Sequence, residues 1–419
     1  MTSPFRPLTL LAVLALTPAT RASAQEEIRI GVIYPLTGSA ASTGLELKNA
    51  AQLAADLING TDKGLGLPLA GAGGLPGLKG AKIKLVFADH QGNPQVGASE
   101  AERLISEHKV AALQGAYFST VTTTASQVAE RNGVPFLNAD SSSPALTQRG
   151  FKWFFRTTPH DELFVQNAFE FLRDLQKKKG IQAKRIAIFA ENTEFGTGAA
   201  KLQERYAKEN GYEIVEKVLY PPKGTQLTSE VQKLKASRPD IVMQSSYLGD
   251  AILSMKTYKD LGFLPTGLLA NNAGFNDSEF LKTMGKDGNF VISREVWALD
   301  LGTKKPVIAR ANALLQARHG VNFNGNSARA FTGIFALADA INRAGSTKAE
   351  AIQKALQETN IPGADLIMPW SGIRFDATGQ NTKGAGIIVQ VQDGKYATVW
   401  PFDLASKDVI WPMPAWDKR

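Results

Sequence analysis

Two hydroxyl-rich turns hold the residues best suited to chemistry in this 419-residue sequence. Ser119 and Thr120 open a stretch with helical spacing, and Ser141, Ser142 and Ser143 follow the short apolar run 134–137. Free N–H groups at a helix start, joined by small hydroxyls, can hold a carboxylate without a buried lysine or arginine. The competing account is simple capping, because serine and threonine are favoured at helix starts in any case. Two such turns at neighbouring strand ends favour the ligand reading, since open parallel sheets bind ligands outside the carboxyl ends of their strands.

The elements that would position these turns follow from periodicity. Residues 27–34, EIRIGVIY, predict a strand, and 45–58 has apolar positions at helical spacing. A glycine- and proline-rich stretch, 64–80, reads as a flexible surface connection. Strands at 82–88, 111–114, 134–137 and 151–158, with helices opening at Pro94 and Thr120, complete one doubly wound half. The same rhythm then repeats. A helix over 161–179 is followed by strands at 185–190, 212–220, 240–245, 267–271 and 290–293, with helices between them. Helices near 304–318, 326–344 and 347–357 precede a hairpin around Asp393-Gly394. The fold class is therefore α/β, with two similar lobes and a cleft between them.

Composition sets the address. Arg6, the apolar run 8–16 and Ala22-Ser23-Ala24 form an export signal, with cleavage expected after Ala24. Its apolar run is too short to span a bilayer, and no later run is long enough, so a soluble periplasmic protein is expected. With no cysteine there is neither disulfide nor thiolate metal site nor lipid-modified cysteine. The formal charge of +8 falls to +6 without Arg6 and Arg21, and basic residues are interspersed with acids. That pattern is a solvated surface and no nucleic-acid footprint.

Catalytic motifs are absent: no G-x-S-x-G, H-E-x-x-H or phosphate-loop pattern occurs. The four histidines are dispersed, and His90, just past a strand end, reads as a turn residue. No catalytic residue, metal or cofactor is expected, although an exported α/β hydrolase using the same cleft is the rival reading.

The segments IRIGVIYPLTGSAASTG, QGAYFSTVTTTASQVAERNGVPFLNADSSSPALTQRGFKWFFRTTP, RIAIFAENTEFGTG and PDIVMQSSY together resemble the type I periplasmic solute-binding proteins of ABC importers, in the Leu/Ile/Val-binding branch. The resemblance implies two doubly wound lobes joined by three crossover strands, near 158–160, near 294–297 and before the C-terminal hairpin. The N-terminal lobe would comprise 25–158 with about 298–365, and the C-terminal lobe 159–297 with about 366–419. It also implies a monomer that clamps a small carboxylate and delivers it to a membrane permease, or else presents its closed form to a regulatory partner.

By position, the resemblance assigns the carboxylate to Ser119 and Ser142 with the main chain of Tyr117, Phe118 and Asp140. Thr43 would line the pocket, and Phe195 and Tyr247 would close over the ligand. Asn272 stands where the family's amino-acid binders carry an acid for the ligand's ammonium. An amide supplies only a dipole to a buried cation. Either Asp140 or Glu194 compensates, or the ligand is an aromatic or keto carboxylate walled by Tyr117, Phe118, Phe195, Tyr247 and Phe275.

Overall fold

The computed structural model describes Met1 and residues 27–419; the expected signal segment, 1–24, lies outside the described residues but for Met1. Five parallel strands form the first sheet: β1 (Glu27–Tyr34), β2 (Lys82–Asp89), β3 (Ala112–Gly115), β4 (Phe136–Asn138) and β5 (Phe154–Arg156), in the order β2-β1-β3-β4-β5. Strand β1 is a nearly continuous apolar run that is buried along most of its length. That is the pattern of a central parallel strand covered by helices on both faces.

The second sheet has seven strands. Its parallel part is β6 (Arg185–Glu191), β7 (Glu213–Tyr220), β8 (Ile241–Ser245), β9 (Gly267–Ala270) and β10 (Ile292–Glu295). A small hairpin of β11 (Asn360–Pro362) and β12 (Gly372–Arg374) intervenes in the chain. The antiparallel pair β13 (Ile387–Gln392) and β14 (Lys395–Trp400) then completes the order β14-β13-β10-β9-β8-β6-β7. Asp393 and Gly394 both take positive φ, as a tight two-residue hairpin turn requires.

The chain passes between the sheets three times. It leaves the first after Arg156, returns after Glu295, and leaves again after Arg374. Helices Pro306–His319, Gly325–Ala344 and Ala349–Gln357 bury their apolar faces in the first sheet's core, which also contains Leu366, Met368, Trp370, Ile373 and Phe375. Gly379 and Asn381 hydrogen-bond Arg156 on β5. The last passage thus runs through 376–386, before the C-terminal hairpin.

The stretch 64–80 is not a flexible connection. Leu65, Leu67, Leu69 and Leu75 are buried, and the N–H groups of Gly71, Gly73 and Gly74 donate to Leu57, Gly60 and Ile58 carbonyls at the end of helix Ala41–Asn59. Those carbonyls have no partner within the helix, so the glycine-rich chain satisfies them. Gly71 and Gly74 have positive φ, and a Cβ on either would collide with neighbouring backbone. A pattern that reads as loose from composition is a packed cap.

Candidate ligand-binding site

Helix Ser119–Asn132 begins immediately after β3, and its first turn carries no side-chain cap. The Ser119 Oγ is buried and has no hydrogen-bond partner among the described residues. Behind it the two turns are tied together. Thr122 Oγ1 accepts from the Ala116 N–H at 2.9 Å and lies 2.6 Å from Ser141 Oγ, which donates to the Tyr117 carbonyl at 2.9 Å. The Asn138 carboxamide, at the end of β4, accepts from Asp140 and Ser141 N–H at 3.0 and 2.9 Å and donates to the Ser141 carbonyl at 2.8 Å. Buried Arg156 donates to the Ser143 carbonyl at 2.6 Å. The serine turn is thus held rigid before any ligand contact is made, and Tyr117 is fixed at φ +79. A non-glycine residue in that region costs energy that surrounding packing must offset, and such positions concentrate at functional sites.

Opposite, Phe195 lies in the first turn of helix Glu194–Glu209, and Tyr247 precedes helix Leu248–Asp260. The Tyr247 ring lies 5.2 Å from Phe195, 5.5 Å from Tyr117 and 4.2 Å from Phe118. Tyr117, Ser119, Asp140, Ser142, Phe195, Tyr247 and Asn272, with Ala273, Arg294 and Arg329, line one small, tightly closed cavity. Three helices begin at or beside it, and helix N-termini favour anions.

Two buried arginines correct the expectation of a cradle built without cationic side chains. Arg294, from β10, donates through Nε to Asn271 at 2.8 Å and through Nη2 to Ser142 Oγ and Asp161 at 3.3 Å each. Its guanidinium covers the Phe164 ring, and its Nη1 has no hydrogen-bond partner. Burial lowers its pKa to about 10, so it stays charged at neutral pH. Arg329, from helix Gly325–Ala344, stands 3.8 Å from Asp140 and donates to Asn272 Oδ1 at 3.4 Å. Asp140 also accepts from Tyr34 at 3.3 Å; burial pushes its carboxyl up to about 6 although Arg329 opposes this. Both arginines had a sequence signal: each is the lone cation in a mostly apolar run, VISREVW and SARAFTGIFALA.

Other expected residues fall elsewhere. Thr43 does not line the cavity; its hydroxyl hydrogen-bonds Asp277 across the cleft, beside Ser42–Asp277 at 3.4 Å and the Ser278–Glu46 contact. Asn324 donates to Glu46 at 2.6 Å, so two buried carboxylates from opposite lobes share one hydroxyl-lined clasp. Phe118 packs edge-to-face on Tyr247 at the cleft and does not line the cavity. Glu194 accepts from Thr123 at 2.7 Å, another contact between lobes, and is not part of the cavity lining. Phe275 is core, packed 5.2 Å from Phe280. His90 is buried, bridging Ala116 O and Gly92 N–H at 2.9 Å each, and burial lowers its pKa to about 4. It is a neutral strut.

A sequence model for periplasmic binding proteins matches residues 27–395. The chain belongs to this family. A "Leu/Ile/Val-binding protein homolog 7" from Brucella suis biovar 1 is 29% identical over 409 residues, covering 96% of this chain and 98% of that protein. Among solved structures, the leucine-binding protein LivK from Thermotoga maritima superposes with TM-score 0.75 at 21% identity, covering 88% of this chain and 97% of that one. A solute-binding protein from Rhodopseudomonas palustris, solved with 4-hydroxybenzoate, gives 0.74 at 20% identity, covering 94% and 99%. These likenesses establish the fold as the two-lobed type I architecture. Among the described residues no helix is long and apolar enough to cross a membrane.

Proposed function

We propose that this protein is an exported periplasmic receptor of an ABC importer. It closes as a monomer on a small carboxylate that has no ammonium group, an aromatic or keto acid, and hands it without chemical change to a membrane permease. The observation that carries this reading is a cavity lined by both Arg294 and Ser119, whose buried Nη1 and Oγ have no hydrogen-bond partner among the described residues. Buried donors without acceptors are costly, and a carboxylate relieves the cost at both. Charge-assisted hydrogen bonds contribute about 1.5–3 kcal/mol each. Three or four account for much of the ~8 kcal/mol that micromolar affinity requires. The Tyr117, Phe195 and Tyr247 rings supply the apolar wall.

A second reading, a branched-chain amino acid, draws on Asp140, which lines the cavity and whose Oδ1 makes no hydrogen bond among the described residues. Against it, Asp140 is already paired with Arg329, and an ammonium would share the cavity with two guanidiniums. The test is a thermal-shift and calorimetric screen of amino acids against benzoates and 2-keto acids, since a ligand bound only by the native state raises the melting temperature. Stabilisation by aliphatic amino acids alone refutes the ammonium-free reading.

A further inference from the structure

We propose that Glu295 decides which ligands the cavity accepts, by locking the Asn272 amide so that no acceptor is left for an ammonium. This rests on the ammonium-free carboxylate reading and supplies the residue responsible for it.

Asn272 lines the cavity, yet its amide is fully committed to the protein. Its Nδ2 donates to Glu295 Oε2 and, at 3.4 Å, to the Arg294 carbonyl. Its Oδ1 accepts from the Ala273 N–H at 2.5 Å and from Arg329 Nη2 at 3.4 Å. An amide has two donor hydrogens and two acceptor lone pairs, and all four are taken. The partners also fix which end is which: Ala273 N–H and Arg329 only donate, and a carboxylate only accepts. Asn272 is therefore held with its nitrogen toward Glu295 and its oxygen toward Arg329. A ligand ammonium would find two guanidiniums, an occupied carbonyl, and Asp140 already paired.

Glu295 reaches this position because helix Gly325–Ala344 starts with glycine. A Cβ on residue 325 would overlap the Glu295 Oε1. The carboxylate is thus admitted against a helix N-terminus, where negative charge is favoured. Every element around it contributes a partner or a charge. Arg294 adjoins it on its own strand and the Val296 N–H donates to it at 3.2 Å; Asn272 and Asn276 face it from the turn after β9, Arg329 from the helix, and Tyr396 from β14. The side chain is buried and does not line the cavity, so it acts through Asn272 as a positioning residue.

The experiment compares two pairs that differ only in keto oxygen against ammonium: 4-methyl-2-oxopentanoate with leucine, and phenylpyruvate with phenylalanine. Calorimetric affinities are measured for the full-length mature protein and for Glu295→Ala, Gly325→Ala and Glu295→Gln, each checked for folding by its melt. The wild type is expected to favour the keto acid of whichever pair fits. Glu295→Ala frees the amide to turn its oxygen inward, and Gly325→Ala displaces the carboxylate without removing it. Each should narrow the keto-to-amino ratio by about tenfold, the equivalent of one hydrogen bond to a charged group. Glu295→Gln keeps an oxygen for Asn272 Nδ2 to donate to and should hold the ratio near the wild-type value, a rescue that a merely structural role would not give. An unchanged ratio in whichever of the Ala variants folds overturns the role of Glu295 and leaves the carboxylate reading intact. A wild type that prefers amino acids overturns both; one that binds none of the four overturns the role of Glu295 in choosing between them, while the carboxylate reading then stands or falls with the benzoates of the screen.

Discussion

Removing the Ser119 hydroxyl should separate binding from stability, because that oxygen has no hydrogen-bond partner among the described residues. In Ser119→Ala no protein hydrogen bond is lost and one buried unsatisfied group disappears. The residue opens a helix without being its cap, and alanine is the better helix former by a few tenths of a kcal/mol. Folding stability should therefore stay within about 0.5 kcal/mol of wild type or rise slightly. Ligand affinity should instead fall by about 1.5–3 kcal/mol, the worth of one hydrogen bond to a charged group. At 25 °C that is roughly tenfold to 150-fold in Kd. Ser142→Ala provides the contrast, since Ser142 Oγ already accepts from Arg294 at 3.3 Å. It should lose comparable affinity and also about 1 kcal/mol of stability. Titration calorimetry with the best ligand of the screen, alongside urea unfolding, reads both quantities. An affinity for Ser119→Ala within about twofold of wild type would refute the anion cradle, because less than one hydrogen bond would then be at stake.

Two further outcomes follow from the buried charges. Arg329→Met leaves Asp140 buried without its cation, which should cost about 3–5 kcal/mol at pH 8. The loss should shrink at pH 5, where Asp140, already raised to about 6 by burial, is neutral; an equal urea-midpoint loss at both pH values would show that the pair is not electrostatic. At the cleft clasp, burial and the neighbouring Asp277 charge hold the Glu46 carboxyl well above the usual carboxylate range. The folded state therefore keeps a proton that the unfolded chain has released, and stability is lost as pH rises above that ordinary range. Glu46→Gln should flatten this part of the stability-against-pH curve, measured by thermal melting without ligand; an unchanged slope would place the titration elsewhere.

The features legible in the chain alone were local and periodic. The alternation of short apolar runs with helical spacing gave both sheets their strands, because burial on two faces leaves a signature within each segment. The serine turns were legible because they follow apolar runs at strand ends, and Phe195 and Tyr247 entered through their match to family positions at the corresponding turns of the second lobe. Seven of the nine residues singled out line the cavity. Tertiary structure alone decided the rest. Arg294 and Arg329 come from a strand and a helix far along the chain from the serine turns, and they meet Ser142 and Asp140 across more than 150 residues of chain. Thr43 turned from pocket to clasp because its partner, Asp277, lies on the other lobe. Whether a buried cation has a partner, and whether a glycine-rich stretch is slack or a helix cap, depends on which distant groups packing brings within about 3 Å, and no spacing along the chain encodes that distance.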